Sequence, residues 1–171
     1  MAPDLTPGEW AVLGVVSEGP THGFAVSQLL APTGRLGRIW TLPRPVVYQV
    51  LKKLLERGLI EERRTESSAK GPARTIVGAT PAGRAALRRW LQEPVDHVRD
   101  VRSLLLLKLA LLDRSGRDAG PLIQAQKARL AGQIEALGQA RDQAEGFDRV
   151  LLEWRIASSR ATVEFLAVVA P

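Results

Sequence analysis

The stretch that decides the fold is THGFAVSQLLAPTGRLGRIWTLPRPVVYQVLKKLLERGLIEE, Thr21 to Glu62. It holds two segments with apolar residues at helical spacing, separated by Gly34, Gly37 and the pair Pro43/Pro45. In the first, Thr21 is the expected N-cap, with Phe24, Ala25 and Leu29 facing inward. In the second, the prolines fall in the first helical turn, where backbone N–H groups have no intrahelical acceptor and their loss costs little. Val47, Val50, Leu51 and Leu54 form its apolar stripe, and Gly58 is placed to stop it at the C′ position. The opposite face carries Arg44, Tyr48, Gln49, Lys52 and Lys53. A short helix that seals a core on one side and gathers cations on the other needs a polyanionic partner to explain it.

The flanking sequence supplies the rest of a fold. Upstream, PGEWAVLGVVSEG places Trp10, Leu13 and Val16 near helical spacing and stops at Gly19-Pro20. Downstream, LIEERRT, ESSAKGP and ARTIVGA read as strand, turn and strand, with Gly71-Pro72 at the hairpin tip. TPAGRAALRRWL then opens a helix with Thr80 as N-cap and Pro81 at N1. Three helices followed by a hairpin predict a winged helix-turn-helix with a two-stranded wing. In that fold the third helix enters the DNA major groove and the wing reaches the backbone or minor groove.

Charge agrees with this assignment. The net charge over the 171 residues is +6. Residues 1–34 sum to −3, residues 35–89 to +9 and residues 90–171 to zero, so the whole excess belongs to the segment of the third helix and the wing. Hydrophobic residues make up 45% and charged residues 25%, the balance of a globular chain. Cysteine is absent, which excludes disulfides and thiolate metal sites, and two histidines are too few for a His-rich metal site. The N-terminus lacks a basic n-region and no apolar run reaches ~18 residues. A cytoplasmic protein without membrane contact, metal or cofactor is expected. Enzyme signatures fail as well: there is no Walker spacing or GxGxxG, and the serines have no nearby histidine to act as base.

From about Pro94 the character changes. VRSLLLLKLALLDR (Val101–Arg114) is, over Val101–Leu112, apolar on nearly every side and should be buried. A long helix is expected from after Gly116 to about Glu145, with Ile123, Leu130, Ile134, Leu137 and Ala144 near heptad spacing. Gly146 breaks it, and a last helix carries Phe147, Val150, Leu151, Trp154, Ala161 and Phe165 on one stripe. The predicted division is therefore a winged helix-turn-helix domain over 1–93 and a helical dimerisation domain over 94–171, in a mainly α chain.

Four stretches, in order, resemble the PadR family of bacterial transcription regulators. VLGVVSEGPTHGF (Val12–Phe24) is similar to that family's ILGLL…GPxHGY, and YQVLKKLLERGLI (Tyr48–Ile60) to its YxxLxxLxxxGLI. ATPAGRAAL (Ala79–Leu87) is similar to LTPAGRxAL, and the LLLKLAL run matches the family's shorter C-terminal class. Departures lie at Pro43, Pro45 and Val46, where the family has small or hydroxylated residues, and at Val77, where it has an aromatic. The resemblance implies a homodimer that binds operator DNA, usually as a repressor and often released by a small ligand.

The residues expected to meet DNA are Arg44, Val46, Tyr48, Gln49, Lys52 and Lys53 on the third helix and Lys70 and Arg74 on the wing. Arg44 and Gln49, near the helix start, suit guanine and adenine edges, while Lys52 and Lys53 lie at a depth that suits phosphate. Trp10 and Trp154 are the candidate walls of an apolar or aromatic effector's pocket at the junction of the two domains, because flat ligands stack on indole. A place in the core or the dimer interface is the plainer role for all four tryptophans. The competing function is a winged-helix module that binds an acidic protein in place of DNA. It would show no sequence preference among duplexes.

Overall fold

The computed structural model describes residues 3–68 and 71–170. Helix α1 spans Pro7–Glu18, strand β1 Thr21–His22, helix α2 Gly23–Leu29 and helix α3 Arg44–Glu56. Strands β2 (Ile60–Ser68) and β3 (Gly71–Ala79) form the hairpin, and helix α4 spans Pro81–Gln92. A short 3₁₀ turn (Val98–Asp100) and a π-helical turn (Val101–Leu105) lead into α5, Leu106–Arg114. Two long helices, α6 (Gly120–Asp142) and α7 (Gly146–Val168), complete the chain. The fold is mainly helical, and its helices and hairpin form a winged helix-turn-helix. The wing belongs to a three-stranded antiparallel sheet of order β1-β3-β2, one strand more than the sequence predicted.

The chain divides into two compact units. One comprises Met1–Leu91 with Leu106–Gly116, the other Gln92–Leu105 with Arg117–Pro171. The apolar helix read from the sequence as wholly C-terminal is split between them, its second half, α5, belonging to the first unit.

In the first unit, α1 is buried almost all round. Thr6 and Glu9 close a capping box: the Glu9 amide donates to Thr6 Oγ1 (3.3 Å) and the Thr6 amide to Glu9 Oε2 (2.7 Å). Trp10 stacks on Trp90 at 4.7 Å between centroids, and Lys108 Nζ lies 4.7 Å from the Trp90 ring centroid. At Gly14 an added Cβ would come within 2.5 Å of Leu111 Cδ1, so α5 lies directly on the α1 backbone. The ends of these helices are joined by a fork in which Arg114 Nε and Nη2 donate to Glu18 at 2.7 and 2.6 Å. Those hydrogen bonds hold the Arg114 guanidinium above its ordinary pKa, outweighing the opposing effect of partial burial.

The start of α2 differs from the expectation. Thr21 does not cap it; Thr21 and His22 pair with Val77 and Ile76 of β3. His22 is the N-cap, its Nδ1 accepting from the Ala25 amide at 3.1 Å. Beginning the helix at Gly23 turns its face, so that Val26 and Leu30 are buried while Phe24 is left exposed. The expectations for α3 hold: Val47, Val50, Leu51 and Leu54 are buried, and Gly58 follows the C-cap with φ +65°. Thr80 caps α4 by accepting from the Gly83 amide (3.0 Å), and its hydroxyl donates to the Gly58 carbonyl (2.8 Å), tying α4 to the end of α3.

In the second unit α6 and α7 form a helical hairpin joined by a short turn, with Gly146 at φ +57°. Its core uses Leu122, Ile123 and Leu130 from α6 and Ile156, Ser159, Thr162 and Leu166 from α7. Buried Gln126 accepts from the Val95 amide (2.7 Å) and donates to its carbonyl (3.0 Å), stitching the preceding segment to α6. The stripe read from the sequence of α7 is not the buried one. Phe147, Val150 and Trp154 are 76%, 60% and 62% exposed. Among the described residues no helix is long and apolar enough to cross a membrane.

Candidate nucleic-acid interface

Helix α3 is two-faced because its four buried residues recur at i, i+3, i+4 and i+7, which leaves the other half of its circumference free. Arg44, Tyr48, Gln49, Lys52 and Lys53 are all exposed there. Val46 is half-buried on the flank, between that face and the core. Arg44, Tyr48 and Lys52 follow one another at i, i+4 and i+8 and line a groove of about 500 Å³. Its far wall is the wing, through Ala73, Arg74, Thr75 and Glu62, and its floor includes Gly23 and Val77. Sheet pairing explains why the wing stands there. β3 is held between β1, beside α2, and β2, which leaves α3 through Gly58.

The structure thus brings Arg44, Tyr48, Lys52 and Arg74 together. Gln49 and Lys53 point away from the groove on the adjoining exposed surface. Lys70 lies outside the described residues. Not every cation of the basic segment is available to a partner. Arg63 pairs with Glu61 at 2.8 Å, Arg64 with Glu66 at 2.7 Å, and Arg57 donates to the Asp4 carbonyl at 2.8 Å. Lys52 lies 3.9 Å from Glu56, with both side chains well exposed, and such a pair contributes little.

Two groove residues were missed by sequence reasoning. Phe24, expected inward, is 40% exposed and faces Arg44, whose guanidinium carbon lies 5.1 Å from its ring centroid. His22 stacks beside Phe24 at 6.4 Å. No local signal marks it: only once β3 has taken Thr21 and His22 caps α2 does Phe24 fall in the first turn and outside the Val26/Leu30 stripe.

The two candidate effector residues lie in different units. Trp10 is 4% exposed and sealed against Trp90. Trp154 stands open beside a cleft of about 550 Å³ in the second unit, with Arg99, Arg155, His97 and Ser159 around it.

A mainly apolar three-helix core with a sheet-supported wing and one cationic helix face defines a winged-helix protein. Residues 12–89 match the family model described as Transcriptional regulator PadR-like family. The matched segment runs from within α1 into α4 and takes in the whole groove. Solved structures of similar proteins include Bacillus subtilis PadR in complex with operator DNA, at 21% identity and a TM-score of 0.49, covering 95% of this chain and 97% of that one. The same Bacillus subtilis protein in complex with p-coumaric acid matches at 19% identity and a TM-score of 0.46, covering 96% of each chain. The PadR-like transcriptional regulator BC1756 from Bacillus cereus matches at 21% identity and a TM-score of 0.41, covering 94% of this chain and 93% of that one. No curated protein matches the chain.

Proposed function

We propose that this protein is a sequence-specific DNA-binding transcription regulator, acting as a homodimeric repressor in the cytoplasm. The observation that carries the reading is the exposed face of α3, where Arg44, Tyr48, Gln49, Lys52 and Lys53 gather opposite a fully buried apolar stripe. The groove continues that face to Arg74 on the wing, the arrangement that lets a helix enter the major groove while a hairpin follows the backbone. Arg44 and Gln49 read base edges, and Tyr48, Lys52, Lys53, Lys70 and Arg74 hold phosphates; Val46 seats the helix start against the duplex. Reading of DNA belongs to 1–93 and pairing of subunits to 94–171.

The dimer contact is the stripe of Phe147, Val150 and Trp154 on α7. Three large apolar side chains at i, i+3 and i+7, all more than half exposed, support burial by a second copy. A two-fold dimer presents two copies of α3 and so prefers a near-palindromic operator. Release by a small apolar or aromatic effector is the last part of the proposal. It rests on Trp154, whose indole is open beside a cleft of drug-like size, whereas Trp10 offers a ligand no free face. A relative solved with p-coumaric acid supports the ligand class. An effector that favours the dimer misfitting DNA is weakened by DNA to the same degree.

The test begins with genomic fragments retained by the purified protein, followed by shift assays on the selected duplex. Arg44→Ala or Gln49→Ala should cost about 1–3 kcal/mol on that duplex and much less on random DNA. Lys52→Ala should weaken both alike and lower the salt slope by about 1. Unchanged binding in the Arg44/Gln49/Lys52 triple alanine variant removes α3 from the DNA. Absence of any preferred duplex, with tight capture of an acidic protein, replaces this reading with the interaction module.

A further inference from the structure

Arg44 is held between two aromatic rings. Its guanidinium carbon lies 5.1 Å from the Phe24 centroid and 5.8 Å from that of Tyr48. Both rings are seated. Tyr48 rests on Gly23, where an added Cβ would fall 2.8 Å from Tyr48 Cε1. Phe24 stacks on His22 at an interplanar angle of 16°, and His22 is fixed by its cap hydrogen bond to Ala25. The backbone of Arg44 is confined as well, because it sits between Pro43 and Pro45.

The nearby cations are held differently. Lys52, Arg63 and Arg64 each lie beside a carboxylate, whereas no ion pair involves Arg44 among the described residues. Ring faces fix the plane of a guanidinium while leaving its N–H edge open. A planar fork with free donors matches the paired N7 and O6 acceptors that guanine presents in the major groove. Much of the rotamer freedom that a bare arginine loses on docking is already lost here. The arrangement also accounts for an apolar ring left at the surface at Phe24 and for the Pro-Arg-Pro that opens α3.

Given the reading of α3 as the DNA-contacting helix, on which this rests, we infer that Phe24 is a positioning residue for sequence recognition. With Tyr48 it holds the Arg44 fork in the orientation that reads one guanine. Phe24 thereby sets sequence preference without touching a base.

The test compares Phe24→Leu, Phe24→Tyr, Arg44→Ala and the Phe24→Leu/Arg44→Ala double variant on the selected duplex and on random DNA. Phe24→Leu should weaken the selected duplex about fivefold, equivalent to about 1 kcal/mol, with random DNA and the salt slope unchanged. Phe24→Tyr should restore binding, and in the Arg44→Ala background Phe24→Leu should add nothing. A measurement without DNA accompanies these: ¹⁵N relaxation of the Arg44 Nε–H should report a rigid side chain in the wild type and in Phe24→Tyr, and a mobile one in Phe24→Leu. Retained preference in Phe24→Leu, a further loss in the double variant, or equal Arg44 mobility overturns the positioning role and leaves the DNA reading standing. A wild-type protein with no preferred duplex overturns both.

Discussion

Single residues carry much of the local geometry. Gly58 adopts φ +65°, the left-handed conformation that ends α3 and launches the wing. Gly58→Ala should therefore destabilise the fold by about 1 kcal/mol, read as a lower denaturant midpoint with an unchanged slope. Thr80 both caps α4 and bonds the Gly58 carbonyl, so Thr80→Ala should cost about 1–2 kcal/mol in the same measurement. Gly58, Thr80 and the prolines of α3 were legible in the sequence because their chemistry acts within a few residues. Phe24 was not. Its exposure follows from which residue caps α2, and that is settled by Thr21 pairing with Val77, more than fifty positions away. Local capping preference favoured Thr21, and the sheet took that residue instead.

At the scale of elements the two faces of α7 differ in kind. The buried face includes Ser159 and Thr162, which a search for apolar spacing passes over. Thr162 can be buried because its hydroxyl donates to the Ser158 carbonyl one turn back, at 2.9 Å. The apolar stripe legible in the sequence is real, but Phe147, Val150 and Trp154 on it are left uncovered within the chain. Val150→Glu should convert the proposed dimer to a monomer in sedimentation velocity while leaving the far-UV circular dichroism intact. The link between α1 and α5 makes a separate forecast. The Arg114–Glu18 fork is bidentate and mostly shielded, with side chains 19% and 25% exposed, so Arg114→Ala should lower stability by about 1–2 kcal/mol. Neither partner is marked by sequence, since the two lie 96 positions apart.

For the molecule as a whole, the charge profile marks the segment that carries the exposed cationic face of α3. The +9 of residues 35–89 is already net of the wing's own pairs, Arg63 with Glu61 and Arg64 with Glu66, so the surplus sits on other cations. The winged helix was legible because three periodic segments and a glycine-punctuated hairpin each announce themselves locally. The third strand was not, because Thr21–His22 is only two residues long and is a strand only through its partner. The assignment of Leu106–Gly116 to the first unit was likewise hidden, since uniform apolarity says that a helix is buried without saying against what.

That last feature sets a timetable for synthesis. The first unit is not contiguous: the seam along α1 at Gly14 is closed by Leu111, nearly a hundred residues later. At roughly 5–20 residues per second, about 2–7 seconds separate completion of β3 from emergence of α5. Throughout that interval a nascent chain with its sheet already translated still displays an apolar strip of α1, a target for a holding chaperone. A fragment released at residue 93 should keep that strip open, bind a hydrophobic dye and melt without cooperativity, whereas one released at Gly116 should melt in a single sharp transition.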